Sequence, residues 1–157
     1  MQAIVFCGIQ GSGKTSFYRE RFFESHVRIN LDMLKTRHRE AILLKACLDA
    51  LQPFVVDNTN PTPEERARFV RPATAAGFDV ICYFFEARPR EAIARNADRS
   101  GRSKIPIAGI VGTYRRLSKP KREEGFTALY RVRIDRGHGF LVEEMNGDET
   151  SNARVDG

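Results

Sequence analysis

Near the start of the chain, Gly8-Ile9-Gln10-Gly11-Ser12-Gly13-Lys14-Thr15 reads G-x-x-x-x-G-K-T, set between the apolar run Ala3 to Cys7 and the helix-forming stretch Ser16 to Glu24. This is a phosphate-binding loop in a strand-loop-helix setting. Gly8, Gly11 and Gly13 let the backbone curl, so that its N–H groups, that of Ser12 among them, converge on one centre, and the helix that follows adds the positive end of its dipole. An anionic polyphosphate such as ATP suits that centre. Lys14 is then expected to bridge the β- and γ-phosphates, and the Thr15 hydroxyl to enter the shell of a Mg²⁺ ion.

Downstream, strand and helix signals alternate. A short second strand is expected at Val27 to Asn30 and a helix from Met33 to Leu51, where Ile42, Leu43, Ala46, Cys47 and Ala50 fall at helical spacing. Pro53 ends it. Phe54-Val55-Val56 reads as a third strand stopping at Asp57. A turn then leads to a helix that begins near Pro63, carries Glu64 and Glu65 in its first turn and closes at Gly77. Val80 to Phe85 is a continuously apolar fourth strand, as in a parallel sheet covered on both faces. An Arg-rich helix from Pro89 to about Ser100, a helix from Ile107 to Leu117 and a last strand from Ala128 to Ile134 complete the pattern. The class is α/β: a P-loop kinase fold with a doubly wound, mostly parallel sheet, helices on both faces and a helical lid at about residues 95–106. One domain is expected over residues 1–145, with 146–157 as a flexible polar tail.

The 157 residues suit one domain, and a hydrophobic fraction of 41% is ordinary for a globular protein. No apolar run approaches a membrane span, and no leader pattern follows Met1, so a cytoplasmic protein without a membrane partner is expected. Cys7, Cys47 and Cys82 are widely spaced in apolar surroundings, which suits reduced packing residues rather than a zinc site. The net charge of +6 is uneven. Residues 88–133 hold 13 Lys+Arg against 4 Asp+Glu, whereas residues 1–87 hold 11 against 10 and residues 134–157 hold 2 against 6. The basic block is either a solvated face or a phosphate-contacting one.

In a doubly wound sheet the ligand site lies at the carboxyl ends of the strands. Three polar groups fall there: the glycine loop, Asn30-Leu31-Asp32 and Asp57-Asn58-Thr59-Asn60. Asp32 has two readings: it accepts the proton of an attacking hydroxyl, or it caps the helix at Met33. Asp57 either works in the metal and acceptor network or starts the turn before Pro61. Arg95 and Arg99 lie four apart on one helical face, with Arg102 in the loop beyond. They are lid arginines closing on the transferred phosphoryl group, or an exposed basic face with Glu91 paired to Arg95.

The ordered set G-x-x-x-x-G-K-T, N-L-D-M-L, V-V-D-N-T-N-P and R-N-x-x-R, with Gly125-Phe126 near the end, resembles the kinase domain of 5′-hydroxyl polynucleotide kinases over residues 3–134. The D-N-T-N-P block and the E-R-A-R-F-V helix resemble most the kinase half of polynucleotide kinase-phosphatases. The resemblance implies Lys14 and Thr15 for ATP·Mg²⁺, Asp32 as general base and Asp57 in the acceptor site or metal network. It further implies Arg99 as the lid arginine, with Arg95 beside it. Some relatives place an arginine three residues after the catalytic aspartate to hold an acceptor phosphate. This chain has Lys35, a point charge without a fork. No D-x-D phosphatase motif is present, so a kinase without 3′-phosphatase activity is expected, with the 5′-hydroxyl end of DNA or RNA as acceptor. A kinase of a small metabolite, nucleotide sugar or tRNA-linked substrate is the alternative, and a nucleotide-binding module without transferase chemistry comes third. Strand three ends Asp57-Asn58 rather than in an Asp-Glu pair, which speaks against a mechanical ATPase, and no N-K-x-D motif points to GTP.

Overall fold

A computed structural model describes residues 1–98, 105–137 and 139–145. Arg99, Arg102, half of the expected lid (99–104) and the tail from residue 146 lie outside the described residues. Six strands form one sheet in the order β2-β3-β1-β4-β5-β6. They are β1 (Gln2–Cys7), β2 (Val27–Ile29), β3 (Phe54–Val56), β4 (Asp79–Phe85), β5 (Ala128–Asp135) and β6 (Gly139–Glu144). The first five run parallel, and β6 returns antiparallel along β5, with Val132 opposite Val142.

The side chains of the central strands alternate between two cores, which is why those strands read as unbroken apolar runs. Ala3, Val5, Cys7, Val56, Val80, Cys82 and Phe84 face one core. It is covered by α3 (Arg37–Asp49), through Leu44 and Cys47, and by α4 (Pro63–Ala75), through Phe69, Val70 and Ala73. Ile4, Phe6, Val55 and Phe85 face the other, beneath α1 (Lys14–Arg21). There Phe17 meets Phe6, Phe85 and Phe140 edge-on, at centroid distances of 5.9, 5.3 and 5.1 Å. These contacts fasten α1, and the loop before it, to the sheet. Helices α5 (Pro89–Ala97) and α6 (Ile107–Arg116) pack on each other around Ala92 and Ile110, against Ile9 of the loop.

Two elements differ from the sequence expectation. The helix expected over 33–51 is broken into α2 (Leu31–Leu34) and α3. Lys35 takes φ 75° between them, and the Thr36 hydroxyl accepts from the Arg39 N–H to start a new helix. Strand β6 was not expected at all. Its inward residues, Phe140 and Val142, alternate with Leu141 and Glu143, but a glycine-flanked run of six residues at the sheet edge is a weak signal.

Candidate active site

The glycine loop is held from behind. A Cβ at Gly8 would stand 2.9 Å from the Phe85 carbonyl oxygen, so only glycine lets β1 leave the sheet there. Gly13 takes φ 97°, left-handed backbone that favours glycine, and caps α1 without a side-chain bond. The first turn of α1 holds no acidic residue. By contrast, threonine hydroxyls cap α3 and α4. The positive end of the α1 dipole is therefore not offset by a capping side chain or a first-turn carboxylate. Lys14 curls back over the loop, its Nζ donating to the carbonyls of Gly8 and Ile9 at 2.8 and 2.7 Å.

The Asp57–Asn60 segment is joined to that loop. The Gly8 N–H donates to the Thr59 carbonyl at 2.9 Å, and Asn60 Nδ2 donates to the Phe6 carbonyl at 2.8 Å. Asn60, buried at φ 45°, is further fixed by Arg66, whose Nη1 donates to its carbonyl at 2.9 Å. Arg66 is wholly buried and forks onto Glu124 at 2.7 and 3.1 Å, which ties the loop to the segment before Gly125-Phe126. The specific D-N-T-N-P sequence thus reflects a buried hydrogen-bonded turn.

The exit of β2 is tied to the same segment. Asn30 Nδ2 donates to the Asp57 carbonyl at 2.6 Å, while its Oδ1 accepts from the Met33 N–H at 2.9 Å. Asn58 Oδ1 accepts from the Leu31 N–H, and Asn58 Nδ2 donates to Glu40 at 3.0 Å. Asn30 is therefore the cap of α2, and the capping reading of Asp32 is corrected. Asp32 sits one residue inside α2 and lines the cleft, and among the described residues nothing hydrogen-bonds or pairs with its carboxylate.

These segments enclose a cleft of about 330 Å³, whose lining includes Gly11, Gly13, Lys14, Thr15, Asp32 and Asp57. The three strand-exit groups do meet. Asp57 is 2% exposed, and its Oδ2 accepts from Thr15 Oγ1 at 3.0 Å and from Arg28 Nε at 2.8 Å. Lys35, at the positive-φ turn, is not among the residues lining this cleft, whereas Arg37 is. Arg37 is held by buried Glu40 at 2.8 Å. Arg95 lines a separate crevice of about 240 Å³ with Glu91, Asp98, Ile134 and Arg136, and its Nη1 donates to the Gly11 carbonyl at 2.5 Å. Desolvation holds its pKa below the usual arginine value, with Arg136 adding to the shift and Glu91 opposing it. Ser12 is buried within the loop, and Arg99 lies outside the described residues.

Sequence reasoning missed Arg28, Arg37, Glu40 and the pair Glu65 and Arg116, which line the cleft 3.6 Å apart. Glu40 carried a signal. With Leu44 and Cys47 it completes an i, i+4, i+7 stripe facing the core, where a carboxylate needs a partner.

The donor set suits a hard divalent cation. Thr15 and Asp57 present oxygens 3.0 Å apart, and among the described residues no cluster of three or more His, Cys, Asp or Glu could hold a metal on its own. An ion here would need its remaining ligands from phosphate and water, the habit of Mg²⁺. Among the described residues no helix is long and apolar enough to cross a membrane.

Sheet order, glycine loop and strand-exit cleft together define a P-loop kinase-like, nucleotide-binding fold. Residues 4–116 match the family model described as AAA domain, and the chain belongs to that family. A bifunctional polynucleotide phosphatase/kinase from Schizosaccharomyces pombe (strain 972 / ATCC 24843) is 28% identical, with 83% of this chain and 33% of that protein covered. The chain thus spans about a third of that relative's length. Among solved structures, a gluconokinase from Sinorhizobium meliloti 1021 superposes with a TM-score of 0.60 at 19% identity, over 83% of this chain and 81% of that one. Kti12 from Chaetomium thermophilum, solved with ADP-AlF3, gives 0.59 at 17% identity, over 85% and 89%. At those identities the likeness is one of fold.

Proposed function

We propose that this chain is an ATP-dependent kinase that transfers the γ-phosphoryl group to the 5′-hydroxyl end of DNA or RNA. The observation that carries the transferase reading is the Asp32 carboxylate, without a partner among the described residues, sharing one cleft with Lys14, Thr15 and Asp57 while Asn30 supplies the helix cap. The loop amides and the start of α1 hold the phosphates, and Lys14 exchanges the Gly8 and Ile9 carbonyls for phosphate oxygens. Asp32 accepts the acceptor hydroxyl's proton as its oxygen attacks the γ-phosphorus and the bond to the β-phosphate oxygen breaks. Thr15 and Asp57 would hold a Mg²⁺ ion, which would neutralise phosphate charge when bound. Arg99 serves as the lid arginine.

The polynucleotide acceptor is supported by the S. pombe relative's name and by two cations, Arg37 and Arg116, that line the cleft around Asp32. The test is transfer from γ-labelled ATP to a panel of 5′-hydroxyl oligonucleotides, nucleoside 3′-phosphates, gluconate and other sugars. Label on the oligonucleotide 5′ end is the expected result. Efficient labelling of a small molecule with none on any oligonucleotide overturns the acceptor assignment and leaves the kinase fold standing.

A further inference from the structure

Arg28 is an unusual occupant for the middle of a parallel strand. On β2, Ile29 is buried and Val27 packs against the same core, while Arg28 reaches the side chains of Asp57 and Thr15. Its Nε donates to Asp57 Oδ2 at 2.8 Å and its Nη2 to Thr15 Oγ1 at 3.3 Å. One guanidinium thus grips both oxygen donors that the proposed function gives to the divalent cation. Its carbon also lies 6.0 Å from the centre of the Tyr18 ring, a face that attracts a cation.

We infer that Arg28 is a built-in counter-cation of the Thr15–Asp57 pair that competes with the divalent cation, so that this residue sets how strongly nucleotide binding depends on metal. The inference rests on the proposed metal-nucleotide site. A nearly buried carboxylate beside bound phosphates is costly without a positive partner, and Arg28 is that partner when no metal is bound. A divalent cation needs lone pairs on the same oxygens and repels a guanidinium a few ångströms away. The cation must displace Arg28 toward Tyr18 or bind against its charge, and either route weakens the metal. The chain is therefore built to hold metal-free nucleotide and to show a shallow metal response.

The experiment measures the affinity of a fluorescent ADP in EDTA and across a Mg²⁺ series, for wild type, Arg28→Gln, Arg28→Lys, Asp57→Asn and the Arg28→Gln/Asp57→Asn double variant. The readout is the ratio of Kd without metal to Kd at saturating Mg²⁺. Arg28→Gln is expected to bind ADP more weakly in EDTA and to raise that ratio about tenfold over wild type. Arg28→Lys, charged but without the fork, should fall between the two. Removing Arg28 should leave the ratio unchanged once Asp57 is Asn. Equal ratios in wild type and Arg28→Gln overturn the inference while leaving the metal site intact. If Arg28→Gln does not fold, a ratio in Arg28→Lys equal to wild type does the same. A ratio of one in every variant, wild type included, overturns the metal reading and the inference with it.

Discussion

At the scale of single residues, the structure separates two roles that one aspartate seemed to share. Because the Asn30 carboxamide caps α2 through the Met33 N–H, Asp32 is released from holding the helix. Asp32→Asn is therefore expected to lower phosphoryl transfer by about 10² to 10⁴, the usual worth of a general base, with ATP affinity unchanged. Asp32→Ala should melt within a few degrees of wild type, since it removes no cap. Turnover, nucleotide affinity and melting curves on both variants check this; an unfolded Asp32→Ala beside an active Asp32→Asn would return the residue to a structural role. The thiols make a second prediction. Burial pushes the Cys7 pKa up to about 12, and burial also raises Cys47 and Cys82. All three stay protonated at neutral pH, so a thiol reagent should modify none of the 3 cysteines until the chain unfolds. That Lys14, Thr15, Asp32 and Asp57 come together in one cleft was legible in the sequence because the phosphate loop and the strand-exit rule are local. Arg28 and Arg37 were not, because a basic residue's meaning depends on which carboxylate the fold brings to it.

At the scale of elements, the break between α2 and α3 and the clasp on the Asp57–Asn60 turn shape the acceptor side. The run Met33 to Leu51 looked like one helix because nearly every residue in it is a helix former. The capping hydroxyl of Thr36 and the strain accepted at Lys35 are tertiary choices that propensity does not report. Lys35→Gly removes that strain and is expected to stabilise the fold by about 1 kcal/mol in urea unfolding, with acceptor KM nearly unchanged. A several-fold rise in KM would restore Lys35 to the acceptor site. The clasp is the converse case. Arg66→Met leaves the Asn60 carbonyl and Glu124 without their guanidinium, and breaking a buried pair of this kind costs about 3 to 5 kcal/mol. Because that turn carries Thr59 against Gly8, the variant should also bind nucleotide less tightly. Destabilisation without any change in ADP affinity would uncouple the clasp from the glycine loop.

At the scale of the whole molecule, the parallel order was readable because buried parallel strands are unbroken apolar runs and each crossover needs its helix. The antiparallel β6 escaped because an edge strand buries only one side. The same scale decides what the basic excess does. Of the cations lining the main cleft, Arg37 and Arg116 share it with Asp32 without belonging to the glycine loop, and Glu40 and Glu65 set their positions. A single strand with its 5′-hydroxyl at Asp32 would share the cleft with these two cations. Each neutralised phosphate releases condensed counterion, so log affinity should fall with log salt by about 0.7 per contact on a single strand. Two to four contacts give a slope of roughly −1 to −3, and oligonucleotides should outperform nucleoside 3′-phosphates at low salt. The variant Arg37→Gln removes one of those contacts and should flatten the slope by about 0.7, while Arg115→Gln, on an arginine that does not line the cleft, should not. Acceptor KM across a salt series, with all three proteins, is the measurement. A slope near zero in wild type would mean that the cleft reads no phosphate backbone, and the acceptor would then be sought among small neutral alcohols.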